Sequence, residues 1–204
     1  MWTAVSDLGD AAMTLPLALV CFAWLAWLTR STAGRHHAAS WALMLAAGMA
    51  LVGATKVLYA GCGIQIRAID FRVISGHTML ASAVWPMACT LASSGGTPSR
   101  AMTSLSLGLG LGLGLALGAL IGIARVFDDA HTPSEVVAGW FVGSTIALAF
   151  ALRHGLPQVD ARYRALVAGS LLAVSALAYG HHAPIQAAIE WYSPFLCGRF
   201  ALQP

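Results

Sequence analysis

Six apolar runs, near residues 12–29, 39–60, 77–93, 103–123, 134–152 and 163–180, take up most of this 204-residue chain, with short polar breaks between them. About 20 mostly apolar residues, wound as a helix, cross about 30 Å of hydrocarbon. Inside lipid a backbone must satisfy its own hydrogen bonds, which a helix does and an isolated strand does not. The expected fold class is therefore all-α: a polytopic membrane helix bundle of six transmembrane helices, one domain over residues 1–204. Charge supports this, because only 9% of residues are charged and mean hydropathy is +0.75, whereas a water-soluble domain carries about a quarter charged residues.

The breaks sort by charge. Arg30, Arg35, Arg100, Arg153, Arg162 and Arg164 follow the odd-numbered runs, accompanied by one acid, Asp160. The other side holds Lys56, Arg67, Arg72, Arg125 and Arg199 together with Asp7, Asp10, Asp70, Asp128, Asp129, Glu135 and Glu190. Basic loops stay in the cytoplasm, so the termini and the second set face outward, which in a bacterial inner membrane is the periplasm. The start, Met1 to Asp7, has no basic segment of the kind that opens a secretory signal, so no cleavage is expected. The net charge of +3 comes from scattered residues rather than a basic stripe, which argues against a nucleic-acid partner.

Within the fourth run, Gly110, Gly114, Gly118 and Gly122 recur every fourth residue and share one helical face. Missing side chains there let a neighbouring backbone come close, either within one bundle or between two chains, so the oligomeric state stays open. The four cysteines show no CxxC spacing, which argues against a metal centre. Cys21 and Cys89 read as core packing residues; Cys62 and Cys197 share a side, where a disulfide is open but two free thiols are expected. His36–His37 and His181–His182 are adjacent pairs, poorly arranged for axial haem ligation, and read as loop residues near headgroups. The seven tryptophans read mostly as interface anchors.

Two segments on the outward side carry the candidate chemistry. Ser75-Gly76-His77-Thr78 opens the third run, where Ser75 suits a cap and Gly76 lets backbone approach a ligand, so amides and the positive helix end would face an anion. A plain cap with an interfacial histidine is the simpler alternative. The second segment runs from Arg125 through His131 to Glu135. Pro133 suits a first helical turn, which sets His131 just outside a positive helix end. Arg125 offers a planar fork for two phosphate oxygens, and His131 a nucleophile if a carboxylate fixes its tautomer. Glu135 suits that role, but Thr132-x-x-Glu135 is also a capping box. Asp128 and Asp129 are the fallback carboxylates.

Ser-Gly-His followed by Arg-x5-His-x3-acid, at the outer ends of spans in a six-span chain, resembles the type 2 phosphatidic acid phosphatase family, the membrane lipid phosphate phosphatases related to vanadium haloperoxidases. The resemblance covers residues 56–152. Ile74, Ala124 and Glu135 stand where the family pattern has proline, serine and aspartate, and Lys56 is followed by Gly63-Ile64 where the pattern has Arg-Pro. Arg67 or Arg72 could supply that charge or contact a headgroup. The resemblance implies that His131 attacks phosphorus, Glu135 holds its ring, and His77 protonates the leaving oxygen. It implies that Lys56, Arg125 and the amides at Ser75 and Gly76 hold the phosphoryl oxygens, with no metal and no cofactor. The implied partner is a lipid phosphate or polyprenyl diphosphate among membrane lipids. Two alternatives stay open: a degenerate site that binds or transports an anion or lipid, and a phosphotransferase using the same histidine.

Overall fold

The computed structural model describes residues 2–28, 32–93 and 100–193. In chain order they form α1 (Trp2–Ser6), α2 (Ala11–Leu28), α3 (Thr32–Cys62), α4 (Gly76–Ser93), α5 (Arg100–Phe127), α6 (Pro133–His154), α7 (Arg164–Ala178) and α8 (Ile185–Tyr192). The six long helices coincide with the six apolar runs, and the protein is an all-α membrane bundle. Five of them, all but α4, are long and apolar enough to cross a bilayer by length and composition, α7 only together with the short turn before it, as Ala161–Ala178. α4 has the length but carries more polar residues, because protein rather than lipid surrounds it: twelve positions from Thr78 to Leu91 are buried, Ser82 and Thr90 among them.

The glycine face explains how α4 becomes the centre. A side chain at Gly110, Gly114 or Gly118 would run into the backbone of α4 at Cys89–Thr90, Trp85–Pro86 and Ser82 respectively. At Gly122 it would meet Val136 and Thr78, whereas Gly108 and Gly112, on the other face, have open space. The seam thus closes inside one chain, between α5 and α4. Gly139 and Gly143 of α6 repeat the arrangement against Ser75, just before α4, and Met79 of α4. Leu17, Cys21 and Leu25 of α2 join Trp41 of α3 and Val84, Met87 and Leu91 of α4 in the buried core.

Several local expectations change. α3 starts at Thr32, so His36 and His37 lie in a helix rather than a loop; with 31 residues it is about 46 Å long and outreaches the hydrocarbon. The His37 ring lies 4.4 Å from that of His154, which also contacts Phe150. Not all the tryptophans are interface anchors. Trp41 is 1% exposed, Trp24 donates to Ser170 Oγ of α7 at 2.9 Å, and Trp85 donates to the Leu8 carbonyl at 3.0 Å. Trp140 and Trp191 are exposed as expected of anchors.

Cys62, expected as a free thiol, is disulfide-bonded; Cys197 lies outside the described residues, while Cys21 and Cys89 are free. The physical reason is the return of the chain over the end of α3, where a side chain on Gly61 would strike the carbonyl of Ser193.

Candidate active site

The segment before α6 is built by its backbone. α5 ends at Phe127, and the Arg125 carbonyl accepts from the amides of both Ala130 and His131, at 3.1 and 3.2 Å. Asp129, in the left-handed region at φ 53°, makes the reversal. His131 is thereby folded back beside Arg125, and Pro133 begins α6 directly after it.

Glu135 is 1% exposed and serves both roles that its spacing left open. Its Oε2 receives the His131 Nδ1 contact at 2.7 Å and accepts from the Thr132 amide at 3.3 Å. Its Oε1 accepts from the amides of Arg72 and Val73, at 3.0 and 3.3 Å, with Arg72 Nε 3.4 Å away. One carboxylate therefore caps α6, ties down the loop before α4 and holds the imidazole with Nε2 turned away. Asp128 and Asp129 do not contact the ring.

A cavity of about 360 Å³ opens at this point, lined by Lys56, Arg72, His77, Arg125, His131 and Glu135 among others. A second, largely apolar cavity of about 160 Å³ adjoins it between α2, α3, α4 and α8. Lys56 and His77 belong to both. Gly76 lines the second, and a side chain there would point within 3.9 Å of Lys56 Nζ. Arg125 Nη1 donates to Ser6 Oγ at 3.0 Å, while its buried Nε has no protein partner.

Two expected residues line neither cavity. Ser75 is fully buried, its hydroxyl 2.9 Å from that of Thr78 and its amide donating to the Glu135 carbonyl at 3.1 Å, so it locks α4 to α6 rather than facing the cavity. Arg67 is exposed in a short turn and lines neither cavity; of the two arginines in that loop the structure brings in Arg72. Asp10 is the residue that sequence reasoning passed over. It lies 3.3 Å from His77 Nε2 and is almost completely buried. Its only signal was position, an acid immediately before the first long apolar run.

Burial pushes the His131 imidazole below its ordinary range, and the nearby Arg125 and Lys56 charges act the same way, outweighing the opposing pull of Glu135. The neutral ring is the form that can attack. The acid limb of kcat/KM against pH is therefore expected below about 6.5, the ordinary imidazole value, once the ionisation of the substrate phosphate is taken into account. A limb at or above that value would contradict a neutral His131 as the titrating group.

A family model described as the PAP2 superfamily matches residues 38–156, more than half of the chain. An uncharacterized 22.5 kDa protein in the cps region of Klebsiella pneumoniae is 31% identical over 160 residues, which span 78% of this chain and 72% of that protein. No solved structure matches. The paired histidine segments at one end of a membrane helix bundle, and the match across α3 to α6, have one conclusion: this chain belongs to the PAP2 superfamily, and its activity is of the phosphatase type.

Proposed function

We propose that this protein hydrolyses a lipid phosphate or lipid diphosphate at the outer face of the membrane, through a phosphohistidine formed on His131. One observation carries the reading: a polar cavity holding three cationic side chains and two histidines shares a wall with an apolar cavity. A phosphoryl group among Lys56, Arg72 and Arg125 would have its charge balanced, and the unpartnered Arg125 Nε is a donor suited to one of its oxygens. His131 lines only the polar cavity, whereas His77 also lines the apolar one. This supports attack from one side and departure of an apolar alcohol on the other.

In the first step His131 Nε2 forms a bond to phosphorus as the bond to the leaving oxygen breaks, and His77 gives that oxygen its proton. In the second, water attacks phosphorus, His77 takes a proton from it, and the bond to His131 breaks to release phosphate. Glu135 stabilises the ring while it carries charge, and the positive end of α6 adds to the field at the phosphoryl group.

The outward setting draws on the basic loops at the opposite end, on the disulfide-bonded Cys62, which suits an oxidising compartment, and on the Klebsiella relative, which suggests a bacterial inner membrane. Purified protein in detergent, offered a panel of lipid monophosphates and diphosphates with a chelator present, is expected to release phosphate from at least one class. The products distinguish hydrolysis from transfer to a second lipid. Binding of phosphate or vanadate without release from any substrate would overturn the reading in favour of a degenerate site.

A further inference from the structure

The machinery described so far comes from α3 to α6, the part that the family model matches. The first ten residues lie outside that match, yet they are built into the same end of the bundle. Trp2 stacks on Phe127 at 4.7 Å, and the Ala4 carbonyl accepts from the Tyr179 hydroxyl at 3.0 Å. Ser6 is 1% exposed and holds Arg125, and a side chain on Gly9 would come within 3.1 Å of the His77 carbonyl. Backbone this tightly bound delivers a side chain to a fixed place. The side chain it delivers is Asp10.

Asp10 repeats the design of Glu135. Its Oδ1 is taken by two backbone amides, Ala12 at 2.7 Å and Ala183 at 3.1 Å, which come from the start of α2 and the turn before α8. That leaves Oδ2 for imidazoles: His77 Nε2 at 3.3 Å and, on the solvent side, His182 Nδ1 at 3.5 Å. In each pair one oxygen is anchored to backbone and the other meets a histidine. Burial opposes charge on Asp10, but the bonds from His77, Ala12 and Ala183 outweigh it and hold the carboxyl well below the usual range, so it is a carboxylate. Asp10 also lines the apolar cavity, as does His77, while His131 does not. The carboxylate is thus on the side assigned to the leaving group.

We propose that Asp10 is a positioning residue for His77: it binds Nε2–H, turns Nδ1 toward the leaving oxygen and stabilises the protonated ring beside the two cations Lys56 and Arg125. This rests on the phosphatase reading above. The proton that reaches the leaving oxygen comes from His77 Nδ1, and Asp10 stays a carboxylate throughout. His182, two-thirds exposed, gives the same oxygen a contact with bulk water.

The test compares two phosphate monoesters of matched chain length, one of an aliphatic alcohol and one of a nitrophenol. An alkoxide needs protonation as it departs and a nitrophenolate hardly does. Asp10→Asn is expected to lose about 10- to 100-fold in kcat on the alkyl ester and less than about 3-fold on the aryl ester, the same pattern as His77→Ala. The double variant is expected to be no worse than His77→Ala alone, because the two act as one unit. Equal losses on both esters, or additive losses in the double variant, would overturn the proposal and leave Asp10 a structural cap of α2. If Asp10→Asn fails to fold, Asp10→Glu keeps the charge and displaces it by one methylene, and the same selective loss is required of it. Turnover surviving in His131→Ala would overturn the phosphohistidine route on which this rests, which these ester ratios do not address.

Discussion

Replacing His131 by alanine is expected to lower phosphate release by about 10,000-fold or more while the protein stays folded. The size follows from the proposed role, in which the ring supplies the atom that bonds to phosphorus, since water and the remaining cations cannot supply a nucleophile fixed in place. The retention of fold follows from what the ring touches. The His131 side chain is 9% exposed and lines the cavity, and its ring meets Glu135 Oε2, which keeps the Thr132 amide when the ring is gone. The Arg72 and Val73 amides still satisfy Oε1, so no buried charge is orphaned. The measurements are release from the best substrate of the lipid panel, trapping of acid-labile phosphoprotein, and the thermal midpoint in detergent. Unchanged turnover, or labelling that persists in the variant, would remove His131 as the nucleophile.

Gly114→Ala is expected to lower the thermal midpoint by about 5–10 °C, whereas Gly112→Ala, two residues away on the same helix, leaves it unchanged or raises it slightly. A methyl group at 114 would overlap the backbone of Trp85 and Pro86, and backbone in a packed helix pair cannot swing aside as a side-chain tip can. Overpacking of this kind costs about 1–3 kcal/mol, and in a chain of this size each kcal/mol moves the midpoint by about 2–4 °C. Position 112 has nothing within 4 Å, so only helix propensity acts there, by at most about 1 kcal/mol in favour of alanine. The same contrast reports on function. α5 carries Arg125 at its end and α4 carries His77 at its start, so a seam forced apart at Gly114 also moves Arg125 relative to His77. Similar midpoints for the two variants would mean that the seam is not where α4 and α5 are held.

The helices were legible because lipid makes the signal local. A run such as 134–152 declares itself by its own hydropathy, and α6 begins within one residue of it, at Pro133 after the Thr132 cap. α4 was found from its length and its polar flanks even though its interior is the least apolar, which became intelligible only once it was seen to be wrapped by α2, α5 and α6. The glycine spacing identified a close-packed face; that the face meets α4 of the same chain is a property of the assembled bundle. Likewise, the His131–Glu135 pair could be read from a four-residue spacing on one helical face.

Whatever depends on residues near each other along the chain could be read without coordinates: the membrane bundle and two histidine segments at helix starts on one end. Tertiary structure alone decided which distant groups complete them. Glu135 takes amides from Arg72 and Val73 more than sixty residues earlier. Arg72 rather than Arg67 reaches the cavity, Ser75 turns inward, and Asp10 reaches His77 through the packing of the N-terminal segment against α4 and α5. The physical reason is the same in each case. A helix fixes the side chains three or four residues apart, but the meeting of two helix ends depends on how every intervening helix packs, and in this chain glycine gaps set that packing.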